Sequence, residues 1–247
     1  MLNRAIKEIG KALSYSGAVY RMVETQEYAA TTKLTDNLDD QDLLEQMLDK
    51  IKPPYKKDTQ ERHYLISTPF RYPPLLHGSR FGSVMMPSYF YASENITTTL
   101  AECAYYRFVF LDDMTIPYHK AISSEHMSFS VDIRSDAMAD LTHVTSDNII
   151  DTLRSTSHYQ FTQTLGKTLI EEKCFDMIRF ISARDNNRGG NVALSSPDLI
   201  KSKQPENTMN WICQTTMNKI SFNAYGVSPL SFSLESFLVN GVLPRPA

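Results

Sequence analysis

Between Pro69 and Glu102 the chain can form neither one continuous helix nor one continuous strand. Pro73, Pro74, Gly78 and Gly82 interrupt both patterns, so this part of the chain must be spent in turns. The aromatic run Tyr89-Phe90-Tyr91 then favours an extended segment, and a helix carrying Glu102 follows. Turn, strand and helix within so short a span impose a local α+β order. They also bring Arg71, Tyr72, Arg80, Tyr91 and Glu102 onto neighbouring elements. Such a set can grip an anionic, ring-containing ligand and place one carboxylate beside its reacting bond.

The remaining periodicities extend the same architecture. Residues 1–20 have helical spacing through Ile6, Ile9 and Leu13, and Ala18–Glu24 looks extended. Over Asp39–Ile51, the positions Leu43, Leu44, Met47, Leu48 and Ile51 share one helix face. Acidic residues open that helix, lysines close it, and Pro53-Pro54 stops it. His63–Ser67 reads as a short strand. Ser93 is a good N-cap for a helix over residues 94–108, with Ile96, Leu100, Cys103, Ala104 and Phe108 as its apolar stripe. Glu102 falls off that stripe, on the side of Thr98, Tyr105 and Tyr106.

Met127–Arg134 alternates apolar and polar residues as a strand with one polar face does. A helix over His158–Glu172 precedes a strand over Phe175–Ser182. The turn-rich loop 183–190 then returns the chain as a hairpin partner, Asn191–Leu194. Trp211–Cys213 and Ile220–Phe222 add short strands. The expected fold is a compact α+β domain with a mixed β core and flanking helices. Residues 1–60 are expected to form a helical extension packed on the core, and residues 61–247 the domain that carries the motifs.

A formal net charge of -3 without a basic stripe argues against a nucleic-acid binder. The charged N-terminus is unlike a secretory leader, and no run approaches the roughly 18 apolar residues of a membrane span. These features point to the cytoplasm. Three cysteines, Cys103, Cys174 and Cys213, have no metal-type spacing, so no metal site is expected and each reads as a small buried apolar residue.

The segments Gly78–Gly82, Tyr89–Ser93, Thr99–Glu102, Ile178–Arg184 and Gly190–Leu194, in this order and spacing, resemble the RES domain family, named for an arginine, a glutamate and a serine. Arg21–Gln26 and Pro69–Pro74 extend the likeness to most of the chain from about residue 20. It looks like the longer subfamily with an N-terminal helical extension. The resemblance implies a core similar to the diphtheria-toxin type of ADP-ribosyltransferase. It also implies a bacterial toxin that destroys NAD by hydrolysis or phosphorolysis, with ADP-ribosyl transfer to a protein as an alternative. A third reading is a module that binds a partner without catalysis. NAD would be a substrate, with no prosthetic group. The implied partner is an Xre-type antitoxin covering the cleft; separately, the N-terminal extension leaves open a homodimer contact.

By the same likeness, Arg80 takes the family arginine, Tyr91 the aromatic position, Glu102 the glutamate and Ser182 the serine. An upstream arginine falls on Arg71 or Arg21, with Arg71 preferred because it shares a connection with Arg80. Each residue type suits the implied chemistry. A carboxylate stabilises an oxocarbenium-like ribosyl cation, and a guanidinium fork matches a diphosphate. Tyr72 and Tyr91 offer aromatic faces and hydroxyls to the ligand. Ser182, with no histidine placed to activate it, suits binding of the nicotinamide ribose or amide rather than nucleophilic attack.

Overall fold

The computed structural model describes residues 1–25, 34–55, 59–116, 118 and 120–246; Gln26, the last residue of the upstream motif, falls outside them. Among the described residues the helices are α1 (Leu2–Ile9), α2 (Leu38–Ile51), α3 (Tyr64–Arg71), α4 (Ile96–Asp112), α5 (Asp147–Leu153) and α6 (Gln160–Lys167). The strands are β1 (Leu13–Glu24), β2 (Phe90–Ser93), β3 (Ile122–Asp140), β4 (Met177–Ile181), β5 (Gly190–Leu194), β6 (Glu206–Thr215), β7 (Lys219–Asn223) and β8 (Leu230–Ser233).

The alternating segment at Met127–Arg134 is the middle of the 19-residue strand β3, which organises the sheet. One edge of β3 pairs with β1 from Leu13 to Glu24. The other edge is shared, with β6 along Ile122–Ser130 and β4 at Met138–Asp140. The strand order is β1-β2-β5-β4-β3-β6-β7-β8, and the additional β1–β3 pairing closes the first five into a ring. Val19, Phe90, Ala92, Phe129, Val131, Met177, Val192 and Leu194, contributed by all five strands, fill its inner face. Alternation of side chains along a strand requires the opposite residues to face outward. On that side Ala139, Ile178, Phe180 and Ala193 pack against α1, α5 and α6. A third core joins Leu100, Ala104, Tyr105 and Phe108 of α4 to Trp211, Cys213, Ile220 and Phe222 of the sheet extension.

Several expectations are corrected. The first helix stops at Ile9, capped by Gly10 at φ 72, and Leu13 already begins β1. Residues 1–60 are therefore not a purely helical extension, because β1 supplies a wall of the ring. The apolar residues of α1 do pack on the core through Ala5 and Ile9, whereas α2 buries none of its residues. His63–Ser67 is not a strand. His63 caps α3 by accepting a hydrogen bond from Leu65 N, while Leu65, Ile66 and Phe70 are drawn into the inner core. The helix carrying Glu102 starts two residues later than the cap at Ser93 implies. Ser93 ends β2, and Asn95 is the N-cap, accepting from Thr98 N at 2.8 Å. Cys174 is exposed, unlike buried Cys213.

Two glycines hold the arginine turn in place. Gly78 has φ +71, a conformation glycine tolerates without a Cβ penalty. A Cβ on Gly166 of α6 would collide with Phe81 O. The chain next to Arg80 is therefore seated directly on α6.

Candidate active site

Glu102 lies in the second turn of α4, partly buried, with the apolar side of the helix turned to the third core. The β4–β5 hairpin reaches it from the sheet. Its register, Phe180 opposite Asn191 and Ile181 opposite Gly190, sets Asn191 and Ser182 side by side. Ser182 Oγ donates to Glu102 Oε1 at 2.7 Å, and Asn191 Nδ2 donates to the same oxygen at 2.7 Å. Glu102 Oε2 has no hydrogen-bond partner among the described residues. The carboxylate is thus anchored through one oxygen and free at the other.

Ser182 is fully buried. Its single proton goes to Glu102, and its oxygen accepts from Arg184 N and Asp185 N, both at 3.1 Å. A serine hydroxyl has one donor and two acceptor positions, so this one is saturated. In this position Ser182 supports the Glu102 carboxylate.

Arg80 is also buried. Its Nη1 donates to Leu153 O at 2.9 Å and Ser155 O at 3.0 Å, and its Cζ lies 4.8 Å from the Tyr159 ring centroid. Arg184 Nη2 donates to Thr156 O at 2.7 Å, so one segment after α5 holds both guanidinium groups. The Arg184 Cζ sits 3.6 Å from the centre of the Tyr105 ring. Arg184 Nη1 and Asn191 Oδ1 are buried without a hydrogen-bond partner. Such unpaired groups are costly in a finished core, and Asn191 also holds Glu102 through its Nδ2.

Tyr91 anchors the arginine turn. Its hydroxyl lies 2.8 Å from Ser79 Oγ and accepts from Phe81 N at 3.0 Å, while burial pushes the phenol up to about 12. Tyr91 and Arg80 share one turn, and the stretch 153–156 that holds Arg80 also holds Arg184, two residues after Ser182.

Arg71, Tyr72 and Arg21 are placed differently. Arg71 Nε donates to Pro53 O, its guanidinium stacks 4.0 Å from the Tyr55 ring centroid, and Nη2 is 4.0 Å from Asp49. These contacts tie α3 to α2 and to the chain that follows it. Tyr72 is exposed and makes no side-chain hydrogen bond among the described residues. Arg21 lies 4.6 Å over the Phe90 ring, and enclosure lowers its pKa to about 10. Neighbouring Met22 packs with the α4 core, so strand alternation turns Arg21 away from that face. Arg21 donates no side-chain hydrogen bond among the described residues.

Arg184, Asn191 and Tyr159 were not expected as site residues. Asn191 was legible only through the hairpin register, and Arg184 through its place two residues after Ser182. Nothing in the local pattern marks Tyr159.

The RES domain family model matches residues 54–214. The chain belongs to the RES domain family. This family is associated with NAD processing and with antitoxin partners. In this RES protein β1, β7 and β8 lie outside the matched span, yet they complete the ring and extend the sheet. No curated protein matches the chain in sequence. Among the described residues no helix is long and apolar enough to cross a membrane, and no three His, Cys, Asp or Glu side chains gather as a metal-binding set.

Proposed function

We propose that this RES protein is a toxin that breaks the nicotinamide–ribose bond of NAD, with NAD as substrate and no prosthetic group. The observation that carries this reading is the Glu102 carboxylate, held through Oε1 by Ser182 and Asn191 with Oε2 free. As the C1′–N bond lengthens, its electrons pass to the nicotinamide ring nitrogen and positive charge develops on the ribosyl group. Oε2 faces that charge and stabilises it. Water or phosphate adds to C1′ from the other side and releases its proton to solvent. Because the carboxylate is held in advance, it needs little reorganisation at the moment of reaction.

Arg80 and Arg184 supply positive charge for the diphosphate. An Xre-type antitoxin covering this cleft would silence the toxin in the cytoplasm. The test is to incubate the purified protein with NAD, with and without phosphate, and follow free nicotinamide. The wild type releases nicotinamide and Glu102→Gln does not. ADP-ribose as product means hydrolysis, and its 1-phosphate ester means phosphorolysis. A wild type that releases no nicotinamide under either condition refutes the reading.

A further inference from the structure

A separate pocket of about 130 Å³ opens between α5 and the end of β4. Its walls are apolar through Leu141, Ile150, Leu153 and Phe180, but two arginines, Arg154 and Arg188, also line it. No carboxylate lines the pocket. Neither guanidinium makes a side-chain hydrogen bond or ion pair among the described residues, and Arg154 Nε is buried without a partner. Arg188 is exposed at the pocket mouth and Arg154 is half-buried, so the buried Arg154 Nε is the group for which lacking a partner is costly. Arg188 is further held in the left-handed region at φ 57, where its N donates to Asp185 O at 2.9 Å.

We propose that this pocket binds a small phosphate-like oxyanion through Arg154 and Arg188. The size decides the class: about 130 Å³ is well below the roughly 300–1,000 Å³ of pockets that enclose whole organic ligands. A single phosphate group fits, whereas a dinucleotide does not. Paired guanidinium forks are the side-chain chemistry suited to that group. The pocket adjoins the Glu102 region. Arg154 lies between the two carbonyls that hold Arg80, and Phe180 lies two residues before Ser182. The phosphate is therefore either the free ion or one carried by a nucleotide that spans both places. Oxyanion binding itself does not depend on NAD cleavage.

Calorimetric titration of the full chain with inorganic phosphate and, separately, with ADP-ribose tests the proposal. Arg154→Gln and Arg188→Asn are the variants, the second because asparagine tolerates the left-handed backbone at that position. Saturable binding by the wild type is expected, weakened by about tenfold or more in each variant, as loss of a charge-assisted contact predicts. Circular dichroism and an unchanged thermal midpoint would show that the variants remain folded. Competition between the two ligands assigns the pocket to a nucleotide phosphate, whereas simultaneous binding assigns it to the free ion. Either result supports oxyanion binding. No saturable binding of either ligand by the wild type, or equal binding by a folded double variant, overturns it. Phosphate binding by a protein inert towards NAD supports this pocket while refuting the proposed cleavage.

Discussion

Ser182 Oγ donates to Glu102 Oε1 across 2.7 Å, and through this contact the end of β4 is tied to the second turn of α4. The same oxygen accepts from two backbone N–H groups, so one buried atom sets both the loop after β4 and the direction of the carboxylate.

Ser182→Ala is expected to leave two buried N–H groups without acceptors, a loss of about 1–3 kcal/mol of stability. It also lets Glu102 swing. If Glu102 acts as proposed, kcat for nicotinamide release falls about 100-fold, the scale of a small misplacement of a reacting group, with little change in KM. Steady-state kinetics beside thermal melts separate the two effects. A rise in KM with kcat intact would instead mean that Ser182 contacts substrate.

Arg71 and Arg21 should respond in opposite ways. Arg71→Ala removes the bond to Pro53 O and the stack on Tyr55, so stability drops by about 1–2 kcal/mol while nicotinamide release is little changed. Arg21→Met removes an enclosed cation that has no ion-pair partner among the described residues, so the thermal midpoint should hold or rise. Melting curves of the two variants check this. A large destabilisation in Arg21→Met would contradict the burial argument.

The elements that could be read from sequence are those whose pattern is local and long. The alternation around Val131 and the apolar face of Leu43–Ile51 each repeat often enough to be unambiguous, and the hairpin at Gly189-Gly190 carries its own turn chemistry. His63–Ser67 reads as a strand in sequence yet lies at the start of α3, because a short apolar run has the same period-poor look in a strand and in a buried helix. Closure of the ring was invisible, since β1 meets β3 through residues more than a hundred positions apart, such as Val19 and Val131. In the candidate site, motif order points to Glu102 and Ser182, which one hydrogen bond joins. Proximity along the chain favoured Arg71, but its side chain turns to Pro53. Asn191 was hidden because its role depends on register rather than residue type.

The three cysteines should differ sharply in reactivity. Cys174 is exposed, whereas burial pushes the Cys103 thiol up to about 12 and also raises that of buried Cys213. Only a thiolate attacks disulfide reagents quickly. At pH 8 a chromogenic disulfide reagent should therefore titrate one thiol in the native protein and the other two only after denaturation. Rapid native labelling of Cys103 would show that the β3–β6 side of α4 opens readily.

Glu8 fastens α1 to the loop before α5, accepting from Thr145 N at 3.0 Å, Ser146 N at 3.1 Å and the Ser146 hydroxyl. The Ser146 hydroxyl bond, first among these contacts, lowers its pKa from the ordinary 4.5 to about 2. A carboxyl with a depressed folded-state pKa contributes stability that is full above its unfolded value and fades as pH falls through the folded one. Glu8→Gln should therefore lower the thermal midpoint at pH 7. The difference from wild type should shrink between pH 4.5 and about 2 and vanish below that range. Thermal melts of both proteins across this range measure it. A gap that persists unchanged at pH 2 would mean that the carboxylate charge has no part in docking α1.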